Sequence, residues 1–129
     1  MSRRRVEEMM DRAVDIISEK FSEQGKIPKE MEGYIASFGM SIRQSGLLTA
    51  TAFYENKNSE KKKNRSNLML AILDLIKDGQ ENEEDSLFEY VRKNKDKDLL
   101  LKEKIMDAAT ALKMAMRVFE FNEESMGEE

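Results

Sequence analysis

Val6, Met9, Met10, Ala13, Ile16, Ile17 and Phe21 recur at steps of three and four, with charged residues in the gaps. That spacing predicts an amphipathic helix from about Ser2 to Gln24, closed by Gly25. Pro28 suits the first turn of a second helix, with Glu30 near its positive end. Met31, Tyr34, Ile35, Phe38 and Ile42 supply its apolar stripe. Ser45-Gly46 interrupts the pattern, and Leu47, Leu48, Thr51, Ala52 and Phe53 resume it in a third helix to about Tyr54. "ENKNSEKKKNRSN" then reads as a solvated polar loop, with Asn64 or Ser66 available to cap the next helix.

Leu68, Met69, Ile72, Leu73, Leu75 and Ile76 give that next helix a wide apolar face, ended by Gly79. "QENEEDS" is an acidic loop whose Asp85 or Ser86 can cap a short helix carrying Leu87, Phe88 and Val91. After the charged connector "KNKDKD", a long helix is expected from about Asp98 to Phe121. Leu99, Leu101, Ile105, Met106, Ala109, Leu112, Met116 and Phe119 form its core side. Nothing alternates at the period of a strand. The sum is an all-α protein, a compact bundle of five to six helices. One domain spans residues 1–122, and residues 123–129 form an acidic tail expected to fray.

Composition narrows the chemistry. The 129 residues contain no Cys and no His. Disulfides, thiolate zinc sites, cysteine nucleophiles and histidine-based triads are therefore excluded. The absence of cysteine fits a reducing compartment, and no signal-type or membrane-spanning run is present, so the default localisation is cytoplasmic. The net charge of −4 hides an asymmetry. Residues 1–65 carry 13 Lys/Arg against 10 Asp/Glu, and residues 66–129 carry 9 against 16. A uniformly basic nucleic-acid binder is ruled out, but a basic patch on an acidic body is not, because binding follows the local field.

Several motifs have plain readings. Ten methionines could make an adaptable surface, but most fall on the apolar stripes and read as core. "DGQENEEDSLFE" begins with Asp78 and ends with Glu89, as a calcium loop would. It has Glu83 where the turn needs Gly and Asp85 where an apolar residue belongs, so a solvated acidic loop is the better reading. Adjacent carboxylates such as Glu7/Glu8 point about 100° apart on a helix and carry no sign of burial. "SGLLTA" lacks the lysine and glycine spacing of a phosphate loop. No catalytic residue, metal site, cofactor or small-molecule substrate is therefore expected. "RRR" at residues 3–5 sits where a helix dipole disfavours cations, which hints at an external anion or acidic partner. Lys61, Lys62 and Lys63 with Arg65 read either as a soluble loop or, with Arg43 and Lys57, as a basic margin around one short helix. Arg43 and Lys57 would lie roughly 20 Å apart along a helical path, a span that fits several phosphates of one strand.

The segment "YIASFGMSIRQSGLLTATAFY", Tyr34 to Tyr54, resembles the small helical subunit of the type III-B CRISPR RNA-targeting effector, the Cmr complex. Ile42-Arg43, Gly46-Leu47 and Ala52-Phe53 match that family's turn and following short helix in order and spacing. Gln44-Ser45 stands where Asn before the glycine is usual. Chain size and the long final helix ending in "ALKMAMRVFEF" agree as well. The small subunit of the related type III-A complex is the neighbouring alternative, and a helical adaptor without RNA contact is the rival from another class.

The resemblance implies an all-α subunit without a catalytic site. It would lie beside other effector subunits and neighbouring copies of itself, and support the target strand of the guide RNA–target RNA duplex in antiviral RNA silencing. Carried over, it puts Arg43 and the Gln44-Ser45-Gly46 turn at the RNA path and Lys57 at a commonly basic position. Lys61, Lys62, Lys63 and Arg65 join that face by charge and proximity.

Overall fold

A computed structural model describes residues 3–22, 25–55, 62–77 and 86–122. The first helix, α1, spans Arg3–Lys20 and is followed by a short strand, β1, at Lys26–Pro28. Helices α2 (Glu30–Ser45) and α3 (Leu47–Tyr54) come next, then α4 (Lys62–Lys77) and α5 (Leu87–Lys93). A 3₁₀ turn at Lys95–Lys97 leads into α6 (Asp98–Met116), and a second strand, β2, covers Glu120–Asn122. The expected all-α bundle is observed, with six α-helices among the described residues.

The stripes read from the sequence converge on one core. Ala13, Ile16, Ile17 and Phe21 come from the α1 region; Met31, Ile35, Phe38 and Ile42 come from α2. α4 contributes Leu68, Met69, Ala71, Ile72, Leu73, Leu75 and Ile76, and α6 contributes Leu101, Ile105, Leu112 and Met116 together with several alanines. Each such Leu, Ile, Met or Phe side chain, fully buried, supplies about 1.5–3 kcal/mol of apolar transfer. α6 is the central strut, packing on α1, α2 and α4.

Ser86 caps α5, one of the two residues expected to do so: its hydroxyl accepts from the Glu89 amide at 3.1 Å. A second amide of that turn, from Phe88, donates to the Glu55 carboxylate at 3.0 Å. The short helix is thereby tied to the end of α3.

Five expectations are corrected. Pro28 does not open α2 but closes β1, which pairs in parallel with β2; Ile27 faces Phe121 in the register. Three residues are too few to show a period, and the partner strand lies more than ninety residues away. The last helix accordingly stops at Met116 rather than Phe121, and a turn carries the chain into β2. Helix α4 starts at Lys62, so Asn64 and Ser66 lie inside it and do not cap it. Its polar first turns gain partners across the bundle: the Asn64 amide donates to Glu30 at 3.2 Å. Leu99 is 72 % exposed, because the buried phase of α6 follows Leu101, Ile105, Ala108 and Leu112. In α3 the buried set is Leu47, Ala50, Thr51 and Tyr54, and Phe53 is 55 % exposed. The acidic segment Asp78–Asp85, including Gly79, and the tail 123–129 lie outside the described residues.

Candidate nucleic-acid interface

The joint between α2 and α3 is a single residue. Gly46 has φ 91° and ψ 161°, a region open essentially to glycine alone. Its amide still donates to the Ile42 carbonyl and its own carbonyl accepts from Ala50, both at 3.0 Å. The chain therefore changes direction while keeping helical bonds on either side. A Cβ built at Gly46 meets nothing within 4 Å. The glycine is needed for its backbone angle and not for close helix approach. Ser45 ends α2 in helical conformation, so the Asn that the family usually has before the glycine is not needed for the turn. Gly46→Val should cost about 1–3 kcal/mol from strain alone. Gly46→Ala should cost nearly as much, because the open space makes side-chain size irrelevant. Equal drops in urea midpoint for the two variants would establish this; a wild-type melt for either would remove the strain.

Around this joint Arg43, Gln44 and Ser45 are exposed, as are Thr49, Ala52 and Phe53 on the outer stripe of α3. The first amides of α3 and the last carbonyls of α2 both lie at this joint, so the opposite ends of two helix dipoles meet there.

Arg43 also ends a groove of about 280 Å³ between α2 and α6, lined by Ala36, Gly39, Met40, Met106, Ala109 and Lys113 among others. Arg117 bonds Glu32 at 3.3 Å, tying the end of α6 to the start of α2. The two helices must therefore run antiparallel to share this groove. Arg43 lies at its Met106 end and Lys113 at its Ala36 end, roughly 10 Å apart along the axis. Lys113 was not singled out in the sequence. Its signal was the pairing of two helix faces, which a single chain's periodicity does not encode.

Arg65 is drawn inward. Its guanidinium carbon lies 5.4 Å from the Tyr34 ring centre and 5.2 Å from those of Phe53 and Tyr54. Its buried Nε has no hydrogen-bond partner among the described residues, and the group is held by three cation–π contacts, each worth about 0.5–2 kcal/mol depending on desolvation. Burial raises the phenol pKa of both Tyr34 and Tyr54, outweighing the opposing pull of Arg65. Both rings thus face the cation neutral at physiological pH. Tyr54 Oη donates to the Tyr34 carbonyl at 3.2 Å, and its ring meets Phe38 edge-on at 5.2 Å. Arg65 therefore fastens α4 to α2 and α3. Lys62 and Lys63 lie in the first turn of α4, and Lys57 and Lys61 lie outside the described residues.

The arginines at the N-terminus find internal acids. Arg4 pairs with Glu8 one turn on, at 3.3 Å and well exposed, and Arg5 reaches the buried Asp107 at 2.6 Å. The placement that hinted at an outside anion is thus met, for these two, from within the chain. Among the described residues no group of three or more carboxylates, His or Cys is arranged to hold a metal ion, and no helix is long and apolar enough to cross a membrane.

Compared with known proteins, residues 1–118 match the family model described as CRISPR-associated protein (Cas_Cmr5). No curated protein and no solved structure matches the chain.

Proposed function

The chain belongs to the Cas_Cmr5 family of CRISPR-associated proteins, the small subunits of type III-B effectors, and on that premise we propose that it is a non-catalytic structural subunit supporting the target RNA strand. Membership of the family associates it with the other Cmr complex subunits. The finer reading, RNA contact in a cytoplasmic antiviral complex, rests on the α2–α3 joint. There an arginine and an amide side chain, Arg43 and Gln44, are both exposed at the end of α2.

Arg43 and Gln44 meet the strand at this joint. Lys57, Lys61, Lys62 and Lys63 extend the contact beyond α3, and Arg65 holds the surface from behind. The functional domain is residues 1–122, and residues 123–129 are an acidic appendage. Sequence is read by guide–target base pairing, while this chain touches phosphates without regard to base identity.

The test uses the assembled complex. Arg43→Glu and Lys57→Glu together, with Lys61, Lys62 and Lys63 neutralised, should leave assembly intact and weaken target binding. Each lost phosphate contact should flatten the log–log salt dependence by about 0.7, so two or three should flatten it by roughly 1.5–2. The loss should be alike for unrelated target sequences. A variant complex with wild-type affinity and salt slope would mean that these residues make no phosphate contact, and would favour the reading as a protein–protein adaptor.

A further inference from the structure

Phe53 is the large aromatic side chain that the packing of α3 leaves outside. It is 55 % exposed, whereas the adjacent Tyr54 is 2 % exposed. An isolated exposed Phe would be ordinary, but this ring is held. The Arg65 guanidinium lies over it at 5.2 Å and Tyr54 meets it at 5.6 Å with a 64° interplanar angle. Arg65 is itself anchored by Tyr34 and Tyr54. The ring is thus fixed before any ligand arrives, so little side-chain entropy remains to be lost on contact. The cation over the ring polarises its π density toward itself.

We propose that Phe53, backed by Arg65, is a stacking platform for one unpaired nucleobase of the RNA strand. The inference rests on the proposed RNA-supporting function and adds a second kind of contact to it, one to a base face instead of a phosphate. Charge favours a nucleic acid over a protein as the occupant. Arg43 lies before α3 and Lys57, Lys61, Lys62 and Lys63 lie after it, while α3 itself carries no charged residue. In the sequence the aromatic end of α3 thus lies between cationic residues, and aromatic and cationic side chains together hold single strands without sequence preference. Every base has a π face, so the platform tolerates any of the four.

Three variants of the assembled complex test this. Phe53→Ala should lower affinity for target RNA by about 5- to 140-fold, the equivalent of one stacked base at about 1–3 kcal/mol. The salt slope should be unchanged, because stacking releases no counterions. Phe53→Leu, apolar but without a π face, should fall with Ala, and Phe53→Trp should bind at least as well as wild type. Target RNAs carrying 5-iodouridine at single positions should photocrosslink to the peptide containing residue 53 at one unpaired position.

Unchanged affinity in Phe53→Ala overturns the proposal. Full affinity in Phe53→Leu, or loss of the subunit from the complex in Phe53→Ala, also overturns it and assigns the ring to a protein contact. The two readings fail separately. A flat response to the Arg43 and Lys57 reversal with a Phe53→Ala defect removes the phosphate path and keeps the platform. The opposite pair of results removes the platform alone.

Discussion

Arg5→Ala should lower the unfolding free energy by about 3 kcal/mol and the melting temperature by roughly 10 °C. Asp107 has no exposed side-chain surface, and Arg5 Nη1 donates to its Oδ2 at 2.6 Å from a side chain 30 % exposed. Removing the cation leaves a carboxylate inside the bundle without its guanidinium partner, which is costlier than never having had the pair. The control follows from the same logic. Arg5→Met with Asp107→Leu replaces both charges by apolar groups of similar length and should recover most of the loss. Thermal melts of Arg5→Met, Asp107→Leu and the double variant would give a coupling energy well above 1 kcal/mol. If Arg5→Ala melts within a degree of wild type, the other contacts of Asp107 suffice and the pair is not structural.

The second large effect is expected at Phe38. Its ring is fully buried in α2 and meets the Tyr54 ring of α3 edge-on at 5.2 Å. Phe38→Ala should cost about 3–5 kcal/mol through lost transfer energy and the cavity left behind, of which about 0.5–1.5 kcal/mol is the aromatic pair. For a domain with a total stability of about 5–15 kcal/mol, that is a large share. Urea unfolding should show a lower midpoint with an unchanged m-value. A loss below about 1 kcal/mol would mean that the bundle collapses into the space. Phe38→Leu should lie between the two, since it retains most of the volume without the ring.

Long helices with one apolar face were legible in the sequence. The stripe of α1 and that of α2 were read residue by residue, because steps of three and four with charges between them admit one phase. Helix α3 was legible as an element but not in its facing. "LLTATAFY" is apolar or small on every side, so periodicity does not select a phase. The backbone angle at Gly46 selects it, placing Tyr54 inside and Phe53 outside.

The start of α6 failed for a related reason. Three consecutive leucines offer three phases, and the alanines further along, Ala108, Ala111 and Ala115, decide among them by allowing close packing. The polar start of α4 was read as loop because its support is not local: Arg65 is held by rings from two other helices, and Asn64 by Glu30. For the candidate site, Arg43 and Gln44 were visible as residues at a helix break. The inward turn of Arg65, the groove shared with Lys113 and the pairing of Arg5 with Asp107 are products of tertiary packing between distant segments. No pattern within one segment announces them.

The parallel pairing of Lys26–Pro28 with Glu120–Asn122, and the seating of α1 on α6, bear on how the chain is born. Both associations join segments within residues 3–28 to segments beyond position 97, which are synthesised later. At about 5–20 residues per second, the interval between synthesis of the two strands is roughly 5–20 s. Until α6 is made the apolar stripe of α1 has no α6 to cover it, and α4 can meet α1 only once residue 77 has been added. An apolar face left open in this way is the kind of surface that holding chaperones bind, so engagement with them is expected until the last helix emerges. Ribosome profiling of the α5–α6 region, with synonymous codons chosen to slow it, should show longer chaperone occupancy and a lower soluble yield of a protein whose finished sequence is unaltered.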